Sequence, residues 1–283
     1  MRRIIPVVAL LGAACLYTFQ ATDDVTVLRS ATGLTELRLT TASGEVSVAG
    51  AATDQVSGTA TRKAWGRTQA DAEAALGTIA IVDSLDGTVM LLSARLPGER
   101  RPLGCGFALA VPESLELAVS ATNSPVSVSG IRARVSVTTS SARVSATGTE
   151  GPLVVSTTSG PINLLDTEGD ATLSTRSAPV TVQVHSGPID ARTSSGAITC
   201  ELGPTGPLDP ARIETSDGPI DLYLPGDVSA RITARTTNGI ITIHGFTVQY
   251  EVQTPDSVVG IIGTGATQLD LFTTNGNITV QGR

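Results

Sequence analysis

Leu153-Val154-Val155-Ser156-Thr157-Thr158-Ser159-Gly160-Pro161-Ile162-Asn163-Leu164 is followed, 18 residues on, by Ala171-Thr172-Leu173-Ser174-Thr175-Arg176-Ser177-Ala178-Pro179-Val180-Thr181-Val182. The two phrases share one pattern. Apolar residues alternate with small polar ones, a short turn follows, and the alternation resumes. Period-2 alternation marks a strand with one buried face.

The phrase recurs along the chain. With the third turn residue as an anchor, the copies fall at Ser43, Asn123, Ser141, Ser159, Ser177, Ser195, Asp217, Asn238, Asp256 and Asn275. From Asn123 onward the steps are 18, 18, 18, 18, 22, 21, 18 and 19. Before the anchor, offsets −6, −4 and −2 share one face, as in Val135/Val137/Thr139 and Ala211/Ile213/Thr215. After it, offsets +3 and +5 are apolar, as in Ile198/Cys200 and Ile220/Leu222. Each copy is strand, tight turn, strand. One copy cannot bury its apolar face alone, whereas stacked copies bury a continuous one. The Asn-Gly and Asp-Gly pairs also suit antiparallel hairpins, but equal offsets in every copy favour a parallel stack. The expected fold is all-β: a parallel β-solenoid or β-helix of about 18–22-residue rungs, spaced about 4.8 Å apart.

The residue at −2 is Thr in nine of ten copies, with Ala121 the exception. Its parity is that of the core. It is expected inside, with its hydroxyl bonded to the turn backbone or to a neighbouring rung. The outer offsets −5 and −3 carry hydroxyls in the middle copies: Ser136/Thr138, Val154/Ser156 and Thr172/Ser174. Later copies carry Asp190/Arg192, Arg212/Glu214 and Thr233/Arg235. Stacking in sequence order sets Asp190 against Arg212 and makes Arg192, Glu214 and Arg235 a column of alternating sign.

Between Ser43 and Asn123 the period breaks. Thr68 to Leu76 is rich in helix formers and ends at Gly77, which predicts one short helix. Residues 79–83 and 88–94 predict an antiparallel hairpin, and residues 107–111 a further strand. The expected organisation is a signal peptide or lipobox over 1–15, an N-terminal strand and cap region with one short helix over 16–115, and β-solenoid repeats over 116–283. A small mixed α/β cap covers one end of the stack, because an open solenoid edge invites other strands. The other end stops at Arg283 with no obvious cap.

Met1-Arg2-Arg3, then apolar Ile4 to Ala14, then Cys15 has the form of a secretory signal. Leu11-Gly12-Ala13-Ala14-Cys15 resembles a bacterial lipobox, which makes Cys15 the candidate lipid-attachment residue. An uncleaved anchor and ordinary cleavage stay open beside it. All three put the body outside the cytoplasm, in the bacterial cell envelope. There, Cys105 and Cys200 suit either a disulfide or two separate buried thiols.

Aromatic residues are 3% of the chain, so the core must come from Val, Ile, Leu and Ala. Lys and Arg number 19 against 26 Asp and Glu, a balance that argues against binding nucleic acid by neutralising phosphates. The front section with its helix, Val111-Pro112-Glu113 with Leu115-Glu116-Leu117, and the repeated Thr-Ser-Ser-Gly phrases resemble the bacterial putative-adhesin β-strand-repeat family, a domain of unknown function. The resemblance spans residues 30–283. It implies an extracytoplasmic β-solenoid-like protein and carries over no catalytic residues.

Candidate chemistry is sparse. Asp166, Glu168 and Asp170, with Glu150 one period earlier, could hold Ca²⁺ at a corner or be a solvated turn. Tyr223 and His244 fall on successive copies at +6, with Asp221 nearby and Phe272 facing outward; together they could bind a sugar or peptide. His185 has no evident partner. No serine has the strand–turn–helix setting of a nucleophile, and no phosphate-binding glycine loop or metal-ligand spacing occurs. The reading is that no residue is catalytic, cofactor-binding or metal-binding. The protein is expected to be a non-enzymatic, envelope-anchored, adhesin-like binding or scaffold protein. Its expected partners are an envelope or cell-surface glycan or protein, the membrane through an N-terminal lipid or anchor, and a second copy at the C-terminal edge, residues 257–283. The alternatives are a polysaccharide-active parallel β-helix enzyme and a periplasmic structural or regulatory partner that adds strands at that edge.

Overall fold

The computed structural model describes residues 18–97, 102–203 and 209–283. The charged leader, its apolar run and Cys15 lie outside them. The chain forms two compact units, divided between Ile131 and Arg132.

The first unit contains β1 (Phe19–Ser30), β2 (Glu36–Thr41), β3 (Val46–Ala51), β4 (Gln55–Gly66), α1 (Gln69–Leu76), β5 (Ala80–Asp86), β6 (Val89–Arg95), β7 (Leu103–Pro112), β8 (Glu116–Ala121) and β9 (Val126–Ser129). β2 lies parallel to β8, with Leu37 opposite Leu117 and Thr41 opposite Ala121. β3 lies parallel to β9, with Val46 opposite Val126. The copies anchored at Ser43 and Asn123 are therefore adjacent rungs, and the aperiodic segment between them is an excursion. That excursion extends both sheets. β7 pairs parallel with β3 and antiparallel with β4, which pairs antiparallel with β1. β6 adds to β2, and β5 closes a hairpin onto β6. Thr68 caps α1, its hydroxyl accepting the Asp71 N–H at 3.1 Å. The helix lies close on β4 at Gly66, where a Cβ would stand 2.3 Å from the Ala72 nitrogen.

The second unit is a β-solenoid. Its strands are β10 (Val135–Thr139), β11 (Val144–Thr147), β12 (Leu153–Thr157), β13 (Ile162–Glu168), β14 (Ala171–Thr175), β15 (Val180–Ser186), β16 (Ile189–Ser195) and β17 (Ile198–Leu202). They continue as β18 (Ala211–Asp217), β19 (Ile220–Leu224), β20 (Ala230–Asn238), β21 (Ile241–His244), β22 (Val248–Gln253), β23 (Ser257–Ile262), β24 (Thr267–Asn275) and β25 (Ile278–Gly282). One sheet runs β10–β12–β14–β16–β18–β24–β20–β23–β22, the other β11–β13–β15–β17–β19–β25–β21. Equal offsets lie opposite one another. Val135, Leu153, Ala171, Ile189, Ala211, Leu269 and Ile232 form one straight buried file.

Spatial order departs from sequence order at the far end. β24 and β25 insert between the rung of β18/β19 and that of β20/β21. Asp190 does face Arg212, and Arg192 faces Glu214. Glu214, however, faces Phe272, which in turn faces Arg235, so the column of alternating sign is interrupted. The copy assigned to Asp256 is not a rung. β22 and β23 form an antiparallel hairpin that pairs with the outer edge of β20. With that edge of β20 occupied, the returning chain has only the opposite edge to join. The return is pinned by Ser229, whose hydroxyl lies 2.7 Å from that of Thr264 and accepts the Thr264 and Ala266 N–H groups at 3.0 and 3.3 Å. The strands nearest the C-terminus are consequently interior to their sheets, and the far edges belong to β21 and β22.

The −2 threonines explain the stacking. Thr41, Thr139, Thr157, Thr175, Thr193, Thr215, Thr236 and Thr273 are buried, and only Thr254 of the hairpin is exposed. Each of five hydroxyls donates to the carbonyl one residue past the anchor of the rung beneath. Thr175 donates to Gly160 (3.4 Å), Thr193 to Ala178 (3.1 Å) and Thr215 to Gly196 (3.1 Å). Thr273 donates to Gly218 (3.0 Å) and Thr236 to Gly276 (2.9 Å). The last two bonds follow spatial order, not sequence order. At the same turns the rungs approach too closely for most side chains. A Cβ on Gly218 would lie 2.2 Å from the Gly196 oxygen, and one on Gly276 2.1 Å from the Gly218 oxygen.

Two substitutions test this staircase. Thr193→Val keeps the shape but leaves the Ala178 carbonyl without its donor, and should cost about 1–3 kcal/mol of stability in denaturant unfolding. Gly218→Ala forces the turns apart and should cost about as much, since overpacking typically costs roughly 1–3 kcal/mol. Wild-type stability in both variants would contradict the assigned role.

Candidate functional site

The outer side chains of the β10–β20 sheet stand in two files, because parallel strands in register place equal offsets side by side. One file is Ser136, Val154, Thr172, Asp190, Arg212, Asp270 and Thr233. The other is Thr138, Ser156, Ser174, Arg192, Glu214, Phe272 and Arg235. The hydroxyl-rich end thus grades into a charged end.

On β16 and β18 the charged residues pair along their own strands. Arg192 donates to both Asp190 oxygens at 2.7 Å, which raises its pKa above the usual arginine value. Arg212 reaches Glu214 at 3.2 Å. Asp270 accepts from Gln268 at 2.7 Å. Farther out, Arg231 clasps Glu251 at 2.6 and 2.7 Å, and the hydrogen bonds hold that carboxyl below its ordinary range. Where β18, β24 and β20 meet, an open groove of about 450 Å³ forms around Arg212, Glu214, Asp270, Phe272, Thr233 and Arg235. Phe272 is 43% exposed.

Residues singled out in the sequence scatter. Phe272 lies on this sheet, while Tyr223 and His244 lie on the other, so the four-residue patch does not assemble. Tyr223 and His244 are themselves separated by Gln281 of the inserted β25. Tyr223 instead carries the Arg283 guanidinium 4.6 Å from its ring centre, and Arg283 pairs with Glu201. Glu150 pairs with Arg132 at 3.2 Å. Asp166, at φ 52, turns a corner of β13. Among the described residues no three His, Cys, Asp or Glu side chains group to hold a metal ion. Asp270 and the convergence of Arg235 on Phe272 had no signature in the sequence, because both depend on the insertion of β24.

His185 has a partner after all. Val184, at φ 55, bulges β15 and turns the imidazole inward, where Nδ1 lies 2.9 Å from the Thr167 hydroxyl. Nε2 is buried without a hydrogen-bond partner. Burial lowers its pKa from the usual 6.5. Cys105 and Cys200 are free and buried, and burial pushes their thiols up to about 11 and about 12.

This fold and these faces define a β-solenoid repeat protein. Residues 102–281 match the Toastrack DUF4097 family, and the chain belongs to that family. No curated protein sequence matches it. Among solved structures it is similar to a putative adhesin from Bacteroides fragilis NCTC 9343, at 12% identity over 92% of this chain and 97% of that one, with a TM-score of 0.47. It is also similar to a putative cell adhesion protein from Clostridium sporogenes ATCC 15579, at 11% identity over 93% of this chain and 100% of that one, with a TM-score of 0.28.

Two solution measurements follow from the buried groups. An unfolded imidazole takes up its proton near pH 6.5, whereas the buried one does so only at lower pH. Stability is therefore full above about pH 7 and declines as pH falls through that interval. The melting temperature should drop between pH 7.5 and 5.5, and His185→Gln should flatten the drop. Both thiols should resist alkylation at pH 8 until denaturant is added, since a thiolate is the reacting form. Rapid native labelling of either would show that it is accessible.

Proposed function

We propose that the protein is a non-enzymatic binding or scaffold module of the bacterial cell envelope, held at the membrane through its N-terminus and presenting a long rigid face to an envelope or cell-surface ligand. The observation that carries this reading is the pair of straight outer files on the β10–β20 sheet. Side chains recur there at the rung spacing of about 4.8 Å. Such a face suits a ligand that is itself extended and repetitive, held by many weak contacts that add through multivalency.

Two features favour binding over catalysis on this face. Its carboxylates carry partners: Asp190 has Arg192, Glu214 has Arg212 and Asp270 has Gln268. Glycoside hydrolysis calls instead for two carboxyl groups flanking one bond, one held protonated. The groove is also open, without the enclosure that excludes water from a reacting centre. The envelope address rests on Arg2, Arg3, the apolar run and Cys15. No helix among the described residues is long and apolar enough to cross a membrane.

Cosedimentation of the purified protein with isolated envelope polysaccharide tests the reading. Retention with the polymer length unchanged is the expected result. Shortening of the polymer would overturn it in favour of the enzyme. Expressed in a bacterial host, Cys15→Ala should move the protein out of the detergent-extracted membrane fraction, and mass spectrometry should find diacylglycerol on the wild-type Cys15 alone.

A further inference from the structure

We infer that the groove at β18, β24 and β20 is a subsite for a sugar ring bearing a carboxylate, with Phe272 as its floor and Arg235 as its anion contact. The inference rests on the binding-surface reading and assigns a ligand chemistry to one place on it.

The argument begins with register. Because β24 inserts between β18 and β20, Phe272 has Glu214 on one side and Arg235 on the other. One step along the strands, Asp270 has Arg212 on one side and Thr233 on the other. An aromatic ring is thereby set among polar side chains in an open groove.

The electrostatics are asymmetric. Arg212 neutralises Glu214 at 3.2 Å, and Gln268 bridges Asp270 and the Thr233 hydroxyl at 2.7 and 3.2 Å. Arg235 is exposed, and among the described residues it makes no ion pair. Its flanking positions across the strands are Phe272 and Ser257, neither of which can neutralise it. The groove is therefore neutral in sum but charge-separated: Arg235 stands beside the aromatic surface without a carboxylate partner, while Asp270, one step along the strands and opposite Arg212, is bonded by an amide and by no cation. The Arg235 guanidinium is a planar fork suited to a carboxylate.

The remaining groups suit a sugar. The Asp270 and Glu214 carboxylates keep lone pairs free to accept from ring hydroxyls. Phe272, lining the groove and 43% exposed, supplies the apolar area on which the C–H face of a pyranose would pack. A neutral sugar would use the ring and the acceptors but leave Arg235 unmatched. A uronic acid unit uses all three. A small aliphatic acid would use Arg235 alone.

The full chain is titrated by calorimetry with a tetrasaccharide of galacturonic acid and with its methyl ester, which keeps the rings and removes the charge. The acid should bind about tenfold more tightly than the ester, the factor that one charge-assisted contact supplies. Arg235→Gln should erase that difference, and Phe272→Ala should weaken both ligands. Both side chains are exposed, so melting temperatures should match wild type. Equal affinity for acid and ester in the wild type, no binding of either, or discrimination that survives Arg235→Gln would each overturn the inference. So would preference for a short peptide with a free C-terminal carboxylate. If both variants still cosediment with envelope polysaccharide as well as wild type, the groove is rejected while the binding surface stands. If wild type itself fails to cosediment yet binds the tetrasaccharide, the broader reading falls and the groove remains.

Discussion

The fold depends on how closely one turn can sit on the next. Parallel strands must lie about 4.8 Å apart to complete their ladders, and the tight turns must stack at that same spacing. At 160, 196, 218, 239 and 276 a Cβ would fall within 2.2 Å of a backbone oxygen of the neighbouring turn, and glycine stands there; the small side chains of Ala142 and Ala178 occupy the same offset in two other rungs. The close approach also brings a turn carbonyl within reach of the threonine on the rung above. That hydroxyl is buried in an apolar interior and would be costly unpaired. Steric clearance and hydrogen bonding thus act at the same joint, and together they hold successive copies in register.

Register is what turns a repeated sequence into a surface. Each outer side chain has neighbours fixed by offset, so a ligand meets files rather than isolated residues. The same constraint makes the surface sensitive to topology. Inserting β24 replaces a Glu214–Arg235 pair with two boundaries against Phe272. A patch that would have held two arginines and one carboxylate gains Asp270 and Phe272, which balance the charge in sum and leave the Arg235 guanidinium beside an aromatic ring without an ion-pair partner. The antiparallel hairpin of β22 and β23 is the structural cause, because it occupies the edge that the next rung would otherwise have used.

Much of the fold was legible from residue spacing. The parity of Leu153, Val155 and Thr157 predicts their burial, and the Asp190–Arg212 register follows from equal offsets. Legibility failed where the same local signal served two purposes. Residues 248–262 alternate like a rung but pair antiparallel. The two long steps, 22 before Asp217 and 21 before Asn238, look alike, yet only the second spans two rung heights. His185 was opaque for another reason: its partner, Thr167, is 18 residues away, and the bulge at Val184 sets the direction of its ring.

The sequence by itself determined the strand–turn–strand unit, the buried face of each strand and the in-register parallel stack, because alternation and turn chemistry are local properties that every copy repeats. The tertiary structure alone decided the order of the last rungs, the edges of the sheets and the meeting of Phe272 with Arg235. Those depend on which strand edge is free when the chain returns, and edge occupancy is a property of the assembled sheet rather than of any segment within it.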